Sequence, residues 1–374
     1  MTTGKFALYG VPNSLYTGRA RSYFIKAGLA YREVSPADPH YQAHVIAAAG
    51  GRLGLPTVEL EDGTVIRDGA AIIDHFEAQS GHLFSPTTPK QRFFSRLFDA
   101  IGAEGLLRPA MHYRWNFDEE NLAYLQFHFA MLAPPKEEGV KLAKAAAQSM
   151  RAATVAFGVT PETAPMVEEV YAEQMAALNA HFGAYPYLLG TRPCIGDFGL
   201  YAPLFAHLGR DPKPLMMLMT KALRLYRWVE RMGRETSDTP EFPDQSESYL
   251  ADDAIPDTLV ALLKAMAIDF APETLAAAET INAWIADQGD LAPLTTCARG
   301  VGMASFEVRG TQFNALAQPY RFYLLARAQT ERKAMNTADR KKVDAILAET
   351  GLEAALNTTL AREFGIRDNR EVWL

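Results

Sequence analysis

The sequence predicts an α+β protein in which a small mixed unit precedes a long helical run. Three observations carry that expectation. Short apolar strands alternate with helical spacing over the first stretch of the chain. After Ser85-Pro86-Thr87-Thr88-Pro89 the apolar spacing becomes almost wholly helical. Beyond a link at 233–253 rich in Ser, Asp, Glu and Pro, helical spacing returns, broken by one alternating stretch around Gly310. The expected units are 1–84, 90–235 and 254–374, the last mainly helical with a small β-hairpin.

Each element has a local reason. Phe6-Ala7-Leu8-Tyr9 is a short apolar strand stopped by Gly10 and Pro12. From Gly18 to Ala27, Ala20, Tyr23, Phe24 and Ala27 fall on one helical side, and Gly28 stands where a C-terminal cap belongs. Tyr31-Arg32-Glu33-Val34 gives a second strand. Thr57-Val58-Glu59-Leu60 and Thr64-Val65-Ile66 flank Asp62-Gly63 as a hairpin, and Ala70 to Ala78 closes the βαβ-ββα order as a helix. Helices are expected near 90–115, 136–157, 161–182, 197–208, 214–232, 257–269 and 272–287, with Pro161 and Pro272 at first-turn positions. A hairpin is expected over Ser305 to Phe313, followed by helices near 319–335 and 338–349.

Composition excludes several classes. The chain has 374 residues, 48% of them apolar, and a formal charge of -7, without a cluster of basic residues interleaved with aromatics. Nucleic acid is therefore not an expected partner. The two cysteines, Cys194 and Cys297, are far apart, which argues against a disulfide framework or a thiolate zinc site and fits a reducing compartment. No apolar leader or membrane span is read, so a cytoplasmic location is expected.

Certain residues, in order, resemble the glutathione transferase superfamily and its thioredoxin-like N-terminal domain. They are Leu8-Tyr9-Gly10, Ser14-Leu15-Tyr16-Thr17-Gly18-Arg19-Ala20-Arg21, Leu55-Pro56 and Asp68-Gly69-Ala70-Ala71-Ile72. The resemblance covers residue 5 to about 235 and is of the serine type, because Ser14 precedes Arg19 by five positions. The region 254–374 is absent from ordinary members. Its Phe306-Glu307-Val308-Arg309-Gly310 and Gln318-Pro319-Tyr320 look like those of long bacterial relatives.

The resemblance implies a site for glutathione as co-substrate and no metal. Ser14 stands where a strand turns into a helix, so a thiolate there would meet a hydroxyl and a helix N-terminus. A hydrogen bond to a charged group is worth about 1.5–3 kcal/mol, or about one to two units on a thiol pKa near 8.5. Tyr9, Tyr16 and Thr17 are the competing hydroxyls. Ser14 through Thr17 also matches a dithiol redox pattern with hydroxyls in both cysteine positions, which disfavours disulfide exchange there. Leu55 and a cis Pro56 would pair with the extended peptide. Asp68 and Gly69 stand where relatives carry Glu or Gln followed by Ser, so the carboxylate-binding hydroxyl is missing. His40 is a further ligand contact; with His44 four positions on it lacks a third metal ligand.

For the second substrate, His112, Tyr113 and Trp115 close the first long helix of the helical unit and suit an apolar or anionic electrophile. At Cys194-Ile195-Gly196-Asp197 sulfur replaces the family's capping hydroxyl, a structural reading. The resulting expectation is a transferase that activates the glutathione thiol, with a homodimer across the two domains. A non-catalytic binding or scaffold protein of the same fold, and a glutathione-dependent lyase or isomerase, stand as alternatives.

Overall fold

In a computed structural model of the chain, residues 5–132, 137–236, 240–243 and 246–374 are described. The N-terminal unit runs β1 (Phe6–Tyr9), α1 (Leu15–Lys26), β2 (Arg32–Val34), a π-turn (Tyr41–Val45) continuing as α2 (Ile46–Ala48), β3 (Thr57–Leu60), β4 (Val65–Arg67) and α3 (Gly69–Gln79). Its strands form one sheet ordered β2-β1-β3-β4, with β1 parallel to β2 and antiparallel to β3. The parallel step is the one that requires a crossover, and α1 supplies it. Alternation along β1 sends Phe6 and Leu8 to the main core and Ala7 and Tyr9 to a smaller cluster with Tyr41 and Val45.

Helices follow: α4 (Pro89–Gly105), α5 (Leu107–Trp115), α6 (Asp118–Ala130), α7 (Glu137–Ala152), α8 (Ala164–Ala184), α9 (Ile195–Ala206), α10 (Pro212–Lys221) and α11 (Leu223–Met232). The remainder comprises α12 (Asp257–Asp287), the hairpin β5 (Met303–Val308) and β6 (Thr311–Leu316), α13 (Tyr320–Ala334), α14 (Thr337–Thr350), α15 (Glu353–Asn357) and a second hairpin, β7 (Phe364–Arg367) and β8 (Arg370–Trp373). The α+β class expected from the sequence is what the chain adopts.

Several boundaries differ from expectation for physical reasons. The helix expected over 90–115 is two, broken at Leu106. There Gly105 admits the Phe270 ring of α12, which would lie 3.2 Å from a Cβ at that position. The helix expected over 214–232 breaks at Ala222, whose φ of -144° and ψ of 57° are not helical. Helix α6 falls between the helices expected near 90–115 and 136–157, where no element was expected. Conversely, 257–269 and 272–287 are one helix running through Pro272. Both halves bury apolar residues on the same core (Leu259, Leu262, Phe270, Ile281), and the Thr274 hydroxyl donates to the Phe270 carbonyl at 2.6 Å, beside the proline gap.

One continuous cluster of buried apolar side chains draws on the sheet unit, the helical run and the region after residue 253, including Leu8 and Ile72, Phe94 and Trp228, Leu262 and Trp373. The region after residue 253 is therefore packed into the body of the molecule. Asp253 accepts from the Lys90 and Gln91 N–H groups at 2.9 and 2.8 Å, capping α4. Helix α13 lies along α4, with Arg327 paired to Asp99 at 3.2 Å and also to Asp74 of α3. At the far edge of the sheet, Asn369 in the β7–β8 turn accepts from Arg67 N–H at 2.9 Å. It also donates to the Ala48 and Val65 carbonyls at 3.0 and 2.9 Å. The β4 edge is thus covered by the C-terminal hairpin.

Candidate ligand site

The turn from β1 into α1 is set by Ser14, an N-cap in extended conformation whose Oγ accepts from the Thr17 N–H at 3.3 Å. Tyr9 points the other way. It is buried, stacks on Tyr41 at 4.6 Å, and donates its hydroxyl to Glu59 Oε2 at 2.8 Å. Burial, then Glu59, pushes its phenol well above the usual range. Thr17 is fully buried with its Oγ1 unpartnered, and its methyl packs where a side chain at Gly10 would stand.

Across from α1, the Leu55-Pro56 peptide is cis, and no hydrogen bond reaches the Leu55 N–H or C=O among the described residues. The Pro56 carbonyl accepts from Asp68 N–H at 3.3 Å, joining this corner to the head of α3. Asp68 adopts a φ of 89° and caps α3, Oδ1 accepting from the Ala70 and Ala71 N–H groups at 2.9 Å each. Its Oδ2 accepts from the Tyr320 hydroxyl at 2.7 Å. Three of the roughly four acceptor positions of Asp68 are therefore taken within the protein.

Between these elements lies a cavity of about 260 Å³. Tyr16, Leu55, Pro56, Asp68 and Gly69 form one side, flanked by Arg52 and Arg67. Glu104 from the end of α4 forms another. Cys297, Arg299, Gln318, Tyr320 and Phe364 close it from the C-terminal region. Glu371 joins its rim, bridging Arg67 at 2.7 Å and Arg52. Glu104 is 4% exposed and its Oε1 has no hydrogen-bond partner. Burial pushes this carboxyl up to about 7, against the opposing pull of Arg321, Arg299 and Arg19, while Glu273 adds to the rise. Burial, reinforced by Glu104, likewise holds the Tyr16 phenol well above its usual range, so Tyr16 faces the cavity as a hydrogen-bond donor.

The structure thus brings Tyr16, Leu55, Pro56, Asp68 and Gly69 together around one space. Ser14, Tyr9 and Thr17 are not on its lining. His40 lies on the outer face, exposed, 2.9 Å from Glu59 Oε1 and beside His44. His112, Tyr113 and Trp115 are buried inside the helical unit. His112 Nε2 meets Glu168 Oε1 at 2.9 Å, Tyr113 stacks on Phe117, and Trp115 packs on Phe129. Both cysteines are free, and among the described residues no group of three or more His, Cys, Asp or Glu is arranged to hold a metal. No helix there is long and apolar enough to cross a membrane. Sequence reading singled out Gln318-Pro319-Tyr320 without a role and missed Glu104 and Arg299. The signal for Glu104 was a lone acid inside the small-residue run Ile101-Gly102-Ala103-Glu104-Gly105.

A βαβ-ββα sheet unit with a ligand corner at a cis proline and the head of α3 is a thioredoxin-like domain. Residues 8–84 match the family model described as glutathione S-transferase, N-terminal domain. Among solved structures, a glutathione transferase from Phanerochaete chrysosporium is 18% identical, covering 63% of this chain and 98% of its own, with a TM-score of 0.45. A glutathione S-transferase of Ceriporiopsis subvermispora in complex with glutathione is 16% identical, covering 61% and 96%, at 0.42. A beta-etherase from Sphingobium sp. is 15% identical, covering 64% and 100%, at 0.41. No curated protein sequence matches the chain.

Proposed function

We propose that the protein is a glutathione transferase-like enzyme that binds glutathione in this cavity and presents its thiol as a thiolate to a small electrophile. The observation that carries the reading is the Leu55 backbone, unpaired among the described residues and facing a cavity at the head of α3, in a domain that matches the glutathione S-transferase N-terminal family model. An extended peptide can pair with Leu55 as an added strand, and a carboxylate gains from the Gly69 N–H at the helix head. Two hydroxyls compete for the sulfur. Tyr16 lines the cavity, and its raised phenol keeps the proton it would donate to a thiolate. The Ser14 hydroxyl accepts from Thr17 N–H and donates to nothing among the described residues, so its proton is free for a sulfur at the head of α1. Either way the work is thiol stabilisation with positioning.

Titrating glutathione while following thiolate absorbance near neutral pH tests the reading, with Tyr16→Phe and Ser14→Ala measured beside the wild type. The variant that abolishes the band identifies the donor. Glutathione bound without a band in the wild type would instead support a binding protein of the same fold.

A further inference from the structure

Glu104 and Arg299 both line the cavity, one from the end of α4 and the other from the loop after α12. The two are near enough for Arg299 to act on the Glu104 charge, yet no ion pair joins them, and neither side chain has a hydrogen bond or ion pair among the described residues. A buried carboxylate without a partner is an unfavourable arrangement unless something arrives to satisfy it. Asp68, the acid that the resemblance would assign to a ligand ammonium, already accepts from two backbone N–H groups and from Tyr320. Gly69 offers no hydroxyl to a ligand carboxylate.

We propose that the cavity is a clamp for a zwitterionic amino-acid end, with Glu104 receiving the ammonium and Arg299 the carboxylate. The inference rests on the glutathione reading and gives it direction: the γ-glutamyl end of the peptide is the part held between α4 and the C-terminal region. Arg299 supplies the side-chain carboxylate donor that Gly69 lacks, and both residues line the same cavity. Glu104 supplies an open acceptor where Asp68, already holding three hydrogen bonds, has little left to offer. The region after residue 253 is then part of the binding site, and specificity for an α-amino acid head follows from two opposite charges lining one cavity without an ion pair between them.

The test is a binding matrix by calorimetry on the full chain. The ligands are glutathione, its glutaryl analogue lacking the amino group, and its 4-aminobutanoyl analogue lacking the α-carboxylate. The proteins are wild type, Glu104→Gln and Arg299→Gln, each checked for an unchanged circular dichroism spectrum. Wild type is expected to lose about tenfold or more in affinity for either analogue, the worth of a charge-assisted hydrogen bond. Glu104→Gln should bind glutathione and the glutaryl analogue alike while still rejecting the other, and Arg299→Gln should show the mirror pattern. A merely damaged protein would weaken all three ligands together, and that outcome counts against the clamp. If wild type binds glutathione but the variants keep its preferences, the clamp is overturned and the glutathione reading survives. If wild type binds none of the peptides, the glutathione reading fails and takes the clamp with it.

Discussion

At the scale of single residues, the site is governed by how groups are satisfied. Gly69 leaves room for a side chain, since a Cβ there would sit 3.4 Å from Arg19 Cδ and 3.5 Å from the Tyr16 carbonyl, both ordinary contacts. Gly69→Ser is therefore expected to fold normally and to tighten glutathione by up to about tenfold, one added hydrogen bond to a carboxylate, read by calorimetry. Glu104 gives a stability prediction with a definite sign. Its folded carboxyl is raised to about 7, above the usual value near 4.3, so the folded state binds the extra proton between those two values. Stability from this group is present below about pH 4.3, falls as pH rises through that window and is lost above 7. Glu104→Gln should leave the denaturant midpoint unchanged at pH 4 and raise stability by up to about 3 kcal/mol at pH 8. Equal effects at both pH values would show that the carboxyl is not the titrating group.

At the scale of elements, the C-terminal hairpin is the part whose removal should be felt furthest away. Asn369 alone ties it to the Arg67 N–H and the Ala48 and Val65 carbonyls, while the Arg67 guanidinium donates to the Asn369 carbonyl and to Glu371. Asn369→Ala should cost about 1–3 kcal/mol and speed hydrogen exchange along β4, measured by mass spectrometry. If β4 keeps its protection, the hairpin is not what shields that edge. This hairpin also marks where sequence reading ran out. Its signal was present, since Asp368 and Asn369 both take positive φ, 48° and 60°, in the turn between two short apolar strands. The two strands are four residues each, too brief for a clear apolar alternation to support the dipeptide. By contrast β1, α1, β3 and α3 were legible because period, turn residues and caps agree. Pro272 misled for the opposite reason: a strong local breaker was overruled by burial on both of its flanks. The site divided the same way. Leu55, Pro56, Asp68 and Gly69 belong to one local corner and were readable. Glu104 and Arg299 line the same cavity only through long-range packing of α4 against the C-terminal region, which no spacing in the chain records.

At the scale of the molecule, the main core decides how the protein unfolds and assembles. Leu262, Phe270, Leu325 and Trp373 lie in the same buried cluster as Leu8 and Phe94, so the chain after residue 253 is not a detachable module. Heat or denaturant should give one cooperative transition, with sheet, helix and tryptophan signals coincident. A chain truncated at residue 253 would bare that core and is expected to be insoluble. The same packing bears on the homodimer expected from the resemblance. A dimer that used the face where α3 and α4 meet would find it occupied by α13, with Arg327 bridging Asp74 and Asp99 and Glu331 paired to Arg92. A second copy would have to displace a helix whose Leu324, Leu325 and Ala328 are fully buried, exposing core rather than joining surface. The expected species in solution is the 41.2 kDa monomer, read by light scattering across a range of concentrations. A stable particle of twice that mass would mean that association uses some other face, leaving the covered one closed.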